Sequence, residues 1–171
     1  MNIQSIKTDD KATLFNTVKK ELLQHNYTIS REDKNRPWGG FFVIDEGQAI
    51  RFIKQFFPRI DSEKVINGEK LSPKILLVAP NKRLSWQYHF RRSEVWSVEA
   101  GEVGVCRSMT DEQNEVEIFK EDDWLILKQG ERHRLIGLDD WAIVAEIWQH
   151  TDAENPSDEN DIIRLEDDFG R

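Results

Sequence analysis

Short segments of alternating apolar and polar residues follow one another from residue 40 to residue 148, and this two-residue period constrains the fold most. Such alternation is typical of strands, because successive side chains point to opposite faces of a sheet. Turn signals such as Asn67-Gly68 and Ala100-Gly101 separate the segments. The pattern predicts strands at residues 40–45, 49–57, 74–79, 85–90, 94–99, 102–107, 116–120, 124–128, 134–138 and 141–148.

No helical pattern lies between these segments, so the chain is expected to be all-β, with an antiparallel sandwich or barrel such as a jelly roll. Before them, residues 8–25 carry apolar side chains at helical spacing and predict one amphipathic helix. We expect this α-helix to pack outside the barrel and to contribute no ligand. Residues 58–71 show no clear period and are interpreted as an irregular excursion between strands.

Charge and cysteine content exclude several classes of function. The sequence has 24 Lys and Arg against 32 Asp and Glu, and residues 151–171 hold eight of the acids. Without a broad basic stripe, no nucleic-acid partner is expected. Cys106 is the single cysteine, which excludes an internal disulfide and a thiolate zinc finger. No apolar run reaches the roughly 18 residues that span a bilayer, and residues 1–10 lack a signal-peptide pattern, so we expect a cytoplasmic protein without a membrane partner.

Four side chains form a candidate metal site. Alternation places Gln87 and His89 on one face of their strand, and Glu94 begins the next strand. His133 lies far along the chain, where a neighbouring strand of a closed barrel could bring it beside the other three. Two imidazoles, a carboxylate and an amide oxygen suit one divalent ion, with zinc expected first for its availability and Mn, Fe, Co or Ni as alternatives.

Basic residues cluster around these four positions in a chain whose net charge is −8. An anionic substrate beside the metal would explain the cluster, because arginine binds phosphate through bidentate, charge-assisted hydrogen bonds. The alternative is that the cations only offset neighbouring acids. The cluster consists of Lys82, Arg83, Arg91, Arg92, Arg132 and Arg134.

A family resemblance rests on several motifs. Residues 78–101 and 122–137 resemble the two cupin motifs, with His89, Glu94 and His133 at the expected gaps. More closely, Arg36-Pro37-Trp38-Gly39, the Gln87-x-His89 pair and the ending DIIRLEDDFGR resemble type II mannose-6-phosphate isomerases. The resemblance implies a cupin jelly roll over residues 36–171, preceded by a helical extension over residues 1–35. It also implies metal binding by Gln87, His89, Glu94 and His133.

The activity that this resemblance implies is reversible aldose-ketose isomerisation of a sugar phosphate such as mannose 6-phosphate. The reaction needs a Lewis acid and a base of tuned pKa. Glu146 is the candidate base, and Lys74 matches a family lysine position and is expected to assist it. Arg164, together with Arg92 or Arg134, is the candidate anchor for the phosphate.

Two other functions stay open. The adjacent histidines usual in the family are Phe90 and Arg91 here, which favours a non-catalytic, metal-containing cupin that binds a sugar phosphate. An isomerase for another phosphosugar, such as a pentose or heptose phosphate, is also compatible with the motifs. A dioxygenase is disfavoured, because its iron site usually lacks an amide ligand such as Gln87.

An aromatic stripe bears on the oligomeric state. Trp86, Tyr88 and Phe90 lie on the face of their strand opposite the metal ligands. The N-terminal helix or a second subunit must cover such a stripe. A homodimer is therefore a possible partner arrangement.

Overall fold

The structure is a computed structural model that describes residue 8, residues 10–60 and residues 70–170. The described residues form two α-helices, α1 (Lys11–Gln24) and α2 (Ala49–Phe56), and two short 3₁₀ helices, Glu46–Gln48 and Glu159–Asp161. The strands are β1 (Ile29–Asp33), β2 (Gly39–Ile44), β3 (Lys70–Val78), β4 (Trp86–His89), β5 (Arg92–Ala100), β6 (Glu102–Ser108), β7 (Glu117–Lys120), β8 (Trp124–Leu127), β9 (Arg132–Gly137), β10 (Ala142–His150) and β11 (Ile162–Glu166).

Two antiparallel sheets make up the domain. The six-stranded sheet has the order β1-β2-β3-β10-β5-β8, and the five-stranded sheet has the order β11-β4-β9-β6-β7. Strands far apart in sequence are neighbours in both sheets, as in a jelly roll. The predicted all-β fold is confirmed, and β1 shows that the six-stranded sheet begins within the segment assigned to the extension.

An inner core fills part of the space between the two sheets. Trp96 and Val98 of β5 pack there with Val103 and Val105 of β6 and with Leu135 of β9, and all five side chains are buried. Alternation along each strand supplies these residues, because every second side chain points inward. A cavity occupies another part of the space between the sheets.

An outer core lies between the helices and the outer face of the six-stranded sheet. Phe15 and Val18 of α1 pack with Phe52 of α2 and with Phe42 and Ile75 of the sheet. Burying each such side chain contributes about 1.5 to 3 kcal/mol. The helix predicted outside the barrel is therefore confirmed, and Asp10 caps it by accepting a hydrogen bond of 2.7 Å from the amide of Thr13.

The prediction of a strand at residues 49–57 is wrong, because these residues form α2. The buried residues of α2 are Ala49, Phe52, Ile53 and Phe56, which recur at the three- and four-residue spacing of a helix. A short apolar run fits both this helical spacing and the alternation of a strand. Here the helix places Phe52, Ile53 and Phe56 in the outer core. The irregular excursion predicted at residues 58–71 lies mostly outside the described residues, and its last two residues belong to β3.

The aromatic stripe on β4 lies on the opposite sheet from α1, so the helix does not cover it. Trp86 is buried and donates from Nε1 to the carbonyl oxygen of Asp111, at 2.8 Å. The guanidinium of Arg132 stacks on Tyr88, while Phe90 is 57% exposed. A homodimer that covers Phe90 stays a prediction. Within the described residues, neither helix is long and apolar enough to cross a membrane.

Glu99, near the C-terminal end of β5, has a half-buried carboxyl. It lines a cavity of ≈ 200 Å³ together with residues of α2. The Ser97 hydroxyl donates to Glu99 Oε1 at 2.7 Å. Burial raises the pKa of Glu99 to about 7, the Ser97 hydrogen bond opposes the shift, and Asp122 and Glu121 add to it. The folded protein therefore holds this proton at a pH where the unfolded chain releases it.

This difference predicts a pH-dependent stability. As pH rises from 4.5 through 7, the unfolded chain loses the Glu99 proton first, so the folded state loses stability, on the order of 2 kcal/mol. Glu99→Gln should stabilise the protein at pH 8 and change little at pH 4.5. Urea denaturation at both pH values measures the difference, with Glu102→Gln as the control on an exposed carboxyl. An equal effect of Glu99→Gln at both pH values would contradict the expectation.

Candidate metal centre and its cavity

A cavity of ≈ 650 Å³ opens between the two sheets at one end of the barrel. Its wall on the six-stranded sheet results from strand register. Lys74 of β3 and Trp96 of β5 both pair with Glu146 of β10. Two residues further along β10, Trp148 pairs with Glu94 of β5, and it points to the same face as Glu146. Because β10 is paired on both sides, these five side chains are held side by side on the cavity wall.

The five-stranded sheet supplies the facing donors. Gln87 of β4 lies opposite His133 of β9, and Arg164 of β11 lies opposite Gln87 on the other side. His89 comes two residues after Gln87, so it shares the inward face. Residues that are distant in sequence thus converge where β4, β9 and β11 run together.

Three of the four predicted metal ligands form a buried cluster. His89 Nε2 lies 3.3 Å from His133 Nε2 and 3.2 Å from Glu94 Oε1, and His133 Nε2 lies 3.6 Å from Glu94 Oε2. Donors bound to one zinc ion at about 2.1 Å, in tetrahedral geometry, lie about 3.4 Å apart. The separations therefore match those of ligands sharing a single ion.

Hydrogen bonding fixes how the two imidazoles present their lone pairs. His133 Nδ1 donates to the carbonyl oxygen of Glu131 at 2.9 Å, so His133 Nε2 carries a lone pair. His89 Nε2 accepts from the guanidinium of Arg92 at 2.9 Å, since arginine can only donate. Both Nε2 atoms and the Glu94 oxygens therefore present lone pairs to one another, and the guanidinium of Arg92 is the cation that contacts them. The donor set fits a divalent metal.

Electrostatics keep these ligands deprotonated. Burial lowers the pKa of His89 to about 4, against the opposing effect of Glu94, and burial also lowers the pKa of His133. Burial raises the pKa of the Glu94 carboxyl, but Arg92 and the two imidazoles outweigh it and hold that pKa well below its usual range. Neutral imidazoles and an ionised carboxylate are the forms that bind metals.

A second buried pair lies beside the cluster. Glu146 Oε2 lies 3.6 Å from Lys74 Nζ, and Trp96 Nε1 donates at 3.1 Å both to Glu146 Oε1 and to Glu94 Oε2. Burial raises the pKa of Glu146 to about 7, with Glu94 adding to the shift and Lys74 and Arg92 opposing it. Burial lowers the pKa of Lys74 to about 8. The indole thus links the metal donors to a carboxyl that exchanges its proton near neutral pH.

The structure brings most of the predicted site residues to this cavity. Gln87 lines it, with its Oε1 accepting from the Ser85 hydroxyl at 2.6 Å. Arg92 lies inside it and is 1% exposed. Arg164 lines it from β11, with Nη2 3.5 Å from Glu159 Oε2, and its Nε is buried with no hydrogen-bond partner among the described residues.

Arg134 is the exception, because the structure does not bring it into the cavity. It comes directly after His133 in β9 and so points to the opposite face of the sheet. There its guanidinium donates to Glu166, to Oε1 at 3.0 Å and to the carbonyl oxygen at 3.1 Å. Arg134 is fully buried, so this pairing occupies it as a structural group.

Several cavity residues were missed by sequence reasoning. Trp148 is not among the predicted site residues, although alternation places it on the same face as Glu146. His150 and Ser72 form a hydrogen bond of 2.8 Å in the wall, and Ser157 donates from its amide to His150 Nδ1 at 2.9 Å. Ser157 comes from a loop of exposed composition, where no sequence signal indicates an inward side chain.

The solved structures that are similar to this chain have low sequence identity to it. An oxalate decarboxylase from Bacillus subtilis, solved at pH 4.6, gives a TM-score of 0.55 at 12% identity, over 79% of this chain and 30% of that chain. An oxalate oxidase gives a TM-score of 0.46 at 16% identity, over 56% of this chain and 46% of that chain. This chain therefore spans less than half the length of either. Comparison with curated protein sequences found no match.

Comparison with protein families identifies the domain. Residues 51–167, well over half of the chain, match the family described as mannose-6-phosphate isomerase C-terminal. The matched segment includes every strand of the five-stranded sheet and all four predicted metal ligands. On this match, the chain belongs to the mannose-6-phosphate isomerase C-terminal family, which is a family of cupins.

Proposed function

We propose that this protein is a metal-dependent isomerase that interconverts an aldose phosphate and a ketose phosphate, with mannose 6-phosphate and fructose 6-phosphate as the first pair. The observation that carries the proposal is one cavity that joins a cluster of metal donors to a buried carboxyl and ammonium pair. The family match adds the expected substrate class.

The metal would be held by His89, Glu94 and His133, with Gln87 as the fourth ligand. A divalent ion at these donors would polarise a carbonyl or hydroxyl oxygen of the sugar as a Lewis acid. Zinc is the first expectation, and Mn, Fe, Co and Ni suit the same donors. Elemental analysis of the purified protein identifies the ion.

Glu146 is the proposed base. Isomerisation moves a proton between C1 and C2 through an enediol, so one group must take the proton from one carbon and return it to the other. The Glu146 carboxylate lies in the cavity wall at 5% exposure, and the Trp96 hydrogen bond fixes one of its oxygens. Lys74, at 3.6 Å from the other oxygen, would stabilise negative charge that develops on the sugar oxygens.

Arg164 is the proposed anchor for the phosphate. Its guanidinium lines the cavity, and its closest carboxylate contact, to Glu159, is long at 3.5 Å. A phosphate would offer it shorter, charge-assisted hydrogen bonds. Holding the phosphate would orient the reacting carbons, because binding energy far from the reaction centre restricts the motion of the substrate.

We predict that Arg164→Ala weakens binding of a hexose 6-phosphate by about 1.5 to 3 kcal/mol, the range for hydrogen bonds to charged groups. The metal should stay in place, since Arg164 contacts none of the three clustered ligands. Isothermal titration with the hexose and with its 6-phosphate measures the effect. Arg132→Ala is the matched control, because Arg132 pairs with Asp111 outside the cavity. Equal affinity of wild type for hexose and hexose 6-phosphate would contradict the anchor.

The test of the proposed function is an NMR assay in D₂O with metal-loaded protein and mannose 6-phosphate. We expect fructose 6-phosphate to form and deuterium to enter the sugar at the carbon that receives the proton. A panel of pentose, hexose and heptose phosphates then defines the substrate. Absence of conversion with every member and every fitting metal would overturn the isomerase.

A second candidate is a non-catalytic cupin that binds a sugar phosphate. Phe90 is mostly exposed, and Arg91 pairs with Asp158 and Asp161 outside the ligand cluster, so neither replaces the missing family histidines as a donor. This protein would bind mannose 6-phosphate in the titration and leave it unchanged in the NMR assay. The two measurements together separate the candidates.

A further inference from the structure

Arg92 occupies an unusual position for a residue expected to bind substrate, because it contacts the metal donors directly. Its Nε donates to Glu94 Oε1 at 2.7 Å, and its Nη2 donates to His89 Nε2 at 2.9 Å. The third nitrogen, Nη1, donates to the Ser157 hydroxyl at 2.7 Å. The guanidinium carbon lies 3.4 Å from the centroid of the Trp148 ring. The buried guanidinium therefore has a hydrogen-bond acceptor for each of its three nitrogens, and two of these acceptors are metal ligands.

The lone pairs involved are those that a metal would need. An oxygen or nitrogen atom that accepts a short hydrogen bond from a guanidinium cannot bind a metal ion along the same direction. Arginine keeps its charge throughout the pH range of proteins. The guanidinium therefore competes with a divalent cation both for space and by charge repulsion.

Charge balance in this part of the cavity indicates which ligand a displaced guanidinium would accept. Arg92 carries one positive charge and Glu94 carries one negative charge, and the two side chains contact each other in the cavity wall. A divalent ion would leave this set with two uncompensated positive charges. A phosphate monoester carries about −1.5 to −2 charges at pH 7, which would restore neutrality.

We propose that the Arg92 guanidinium is the counter-cation of the metal ligands as long as no metal is bound. A divalent ion displaces this guanidinium, which then donates hydrogen bonds to the phosphate of the substrate. This inference rests on the proposed function for the metal and the phosphate. Without metal, Arg92 holds Glu94 and His89 in place and lowers their affinity for a divalent ion; once displaced, it contacts the substrate. Metal and sugar phosphate then bind with positive coupling, each strengthening the other.

The first experiment measures zinc affinity by competition with a chromophoric chelator at pH 8. Arg92→Gln should bind zinc about tenfold or more tightly than wild type, because a unit charge near the site is removed. Arg91→Gln is the matched control, since it removes the neighbouring charge and leaves the ligand cluster intact; we expect a change of at most about twofold. Equal zinc affinity of the two variants would overturn the competition.

The second experiment follows wild-type protein, and the conservative variant Arg92→Lys serves only to assign one signal. The Arg92 Nε–H should give a slowly exchanging ¹⁵N-edited NMR signal, assigned by its loss in Arg92→Lys, because that group is buried and bonded to Glu94. One equivalent of zinc should shift this signal strongly. A signal that stays unchanged while zinc binds would overturn the displacement.

The third experiment tests the coupling. Wild-type protein should bind zinc about tenfold more tightly with saturating mannose 6-phosphate than with mannose, and Arg92→Gln should lose most of this difference. Chelation of zinc by the sugar phosphate in solution affects both proteins equally. The same coupling in both proteins would overturn the role of Arg92 toward the phosphate. Zinc binding to none of the proteins would instead refute the proposed metal site, and lack of turnover alone would refute only the isomerase.

Discussion

Replacing His89 with alanine is expected to abolish stoichiometric metal binding. His89 Nε2 lies within 3.3 Å of both other clustered ligands, so its loss removes the imidazole that faces them. Loss of even an outer-shell partner lowers metal affinity by about 10- to 100-fold, and loss of a direct ligand should exceed the upper figure. Elemental analysis after dialysis against zinc, and the chelator competition, measure the change.

The control for this prediction is a second histidine in the same cavity wall. His150 is buried, but it bonds to Ser72 and Ser157 and lies outside the ligand cluster. His150→Ala should therefore keep one zinc per chain, even if it lowers the melting temperature. Full metal content in His89→Ala would refute the site as built from these residues.

The metal donors could be predicted because strand alternation is a strong constraint. Once residues 85–90 are assigned to a strand, Gln87 and His89 must share a face, and β4 pairs with β11 without a register shift between these two residues. The same rule, applied to β9, puts Arg134 on the face opposite His133. Proximity in sequence favoured Arg134 as a substrate ligand, whereas the period of the strand indicates the opposite.

Other features depend on packing that no local pattern expresses. The pattern of residues 49–57 fits both a strand and a helix, and packing of the buried α2 side chains in the outer core favours the helix. Ser157 reaches Arg92 because Asp161 holds its hydroxyl, in a loop whose composition predicts only exposure. The sequence indicates that a cation lies near the metal ligands. That Arg92 contacts these ligands and competes with a metal for them can be seen only from the side-chain positions in the structure.

Glu146→Gln should lower the isomerisation rate by about 10²- to 10⁴-fold, the contribution of a positioned general base. The amide keeps the shape of the carboxyl and its contact with Trp96, but it cannot take up the proton from carbon. Zinc content should stay at the wild-type level, because Glu146 is not a ligand. The fold should also persist, since burial already opposes the charged form of Glu146.

Glu46→Gln serves as the matched control, because the Glu46 carboxyl lines the same cavity and accepts a hydrogen bond from Ser72. The NMR assay with mannose 6-phosphate measures both variants, and a Glu146→Gln rate within about tenfold of wild type would assign the proton transfer to another group.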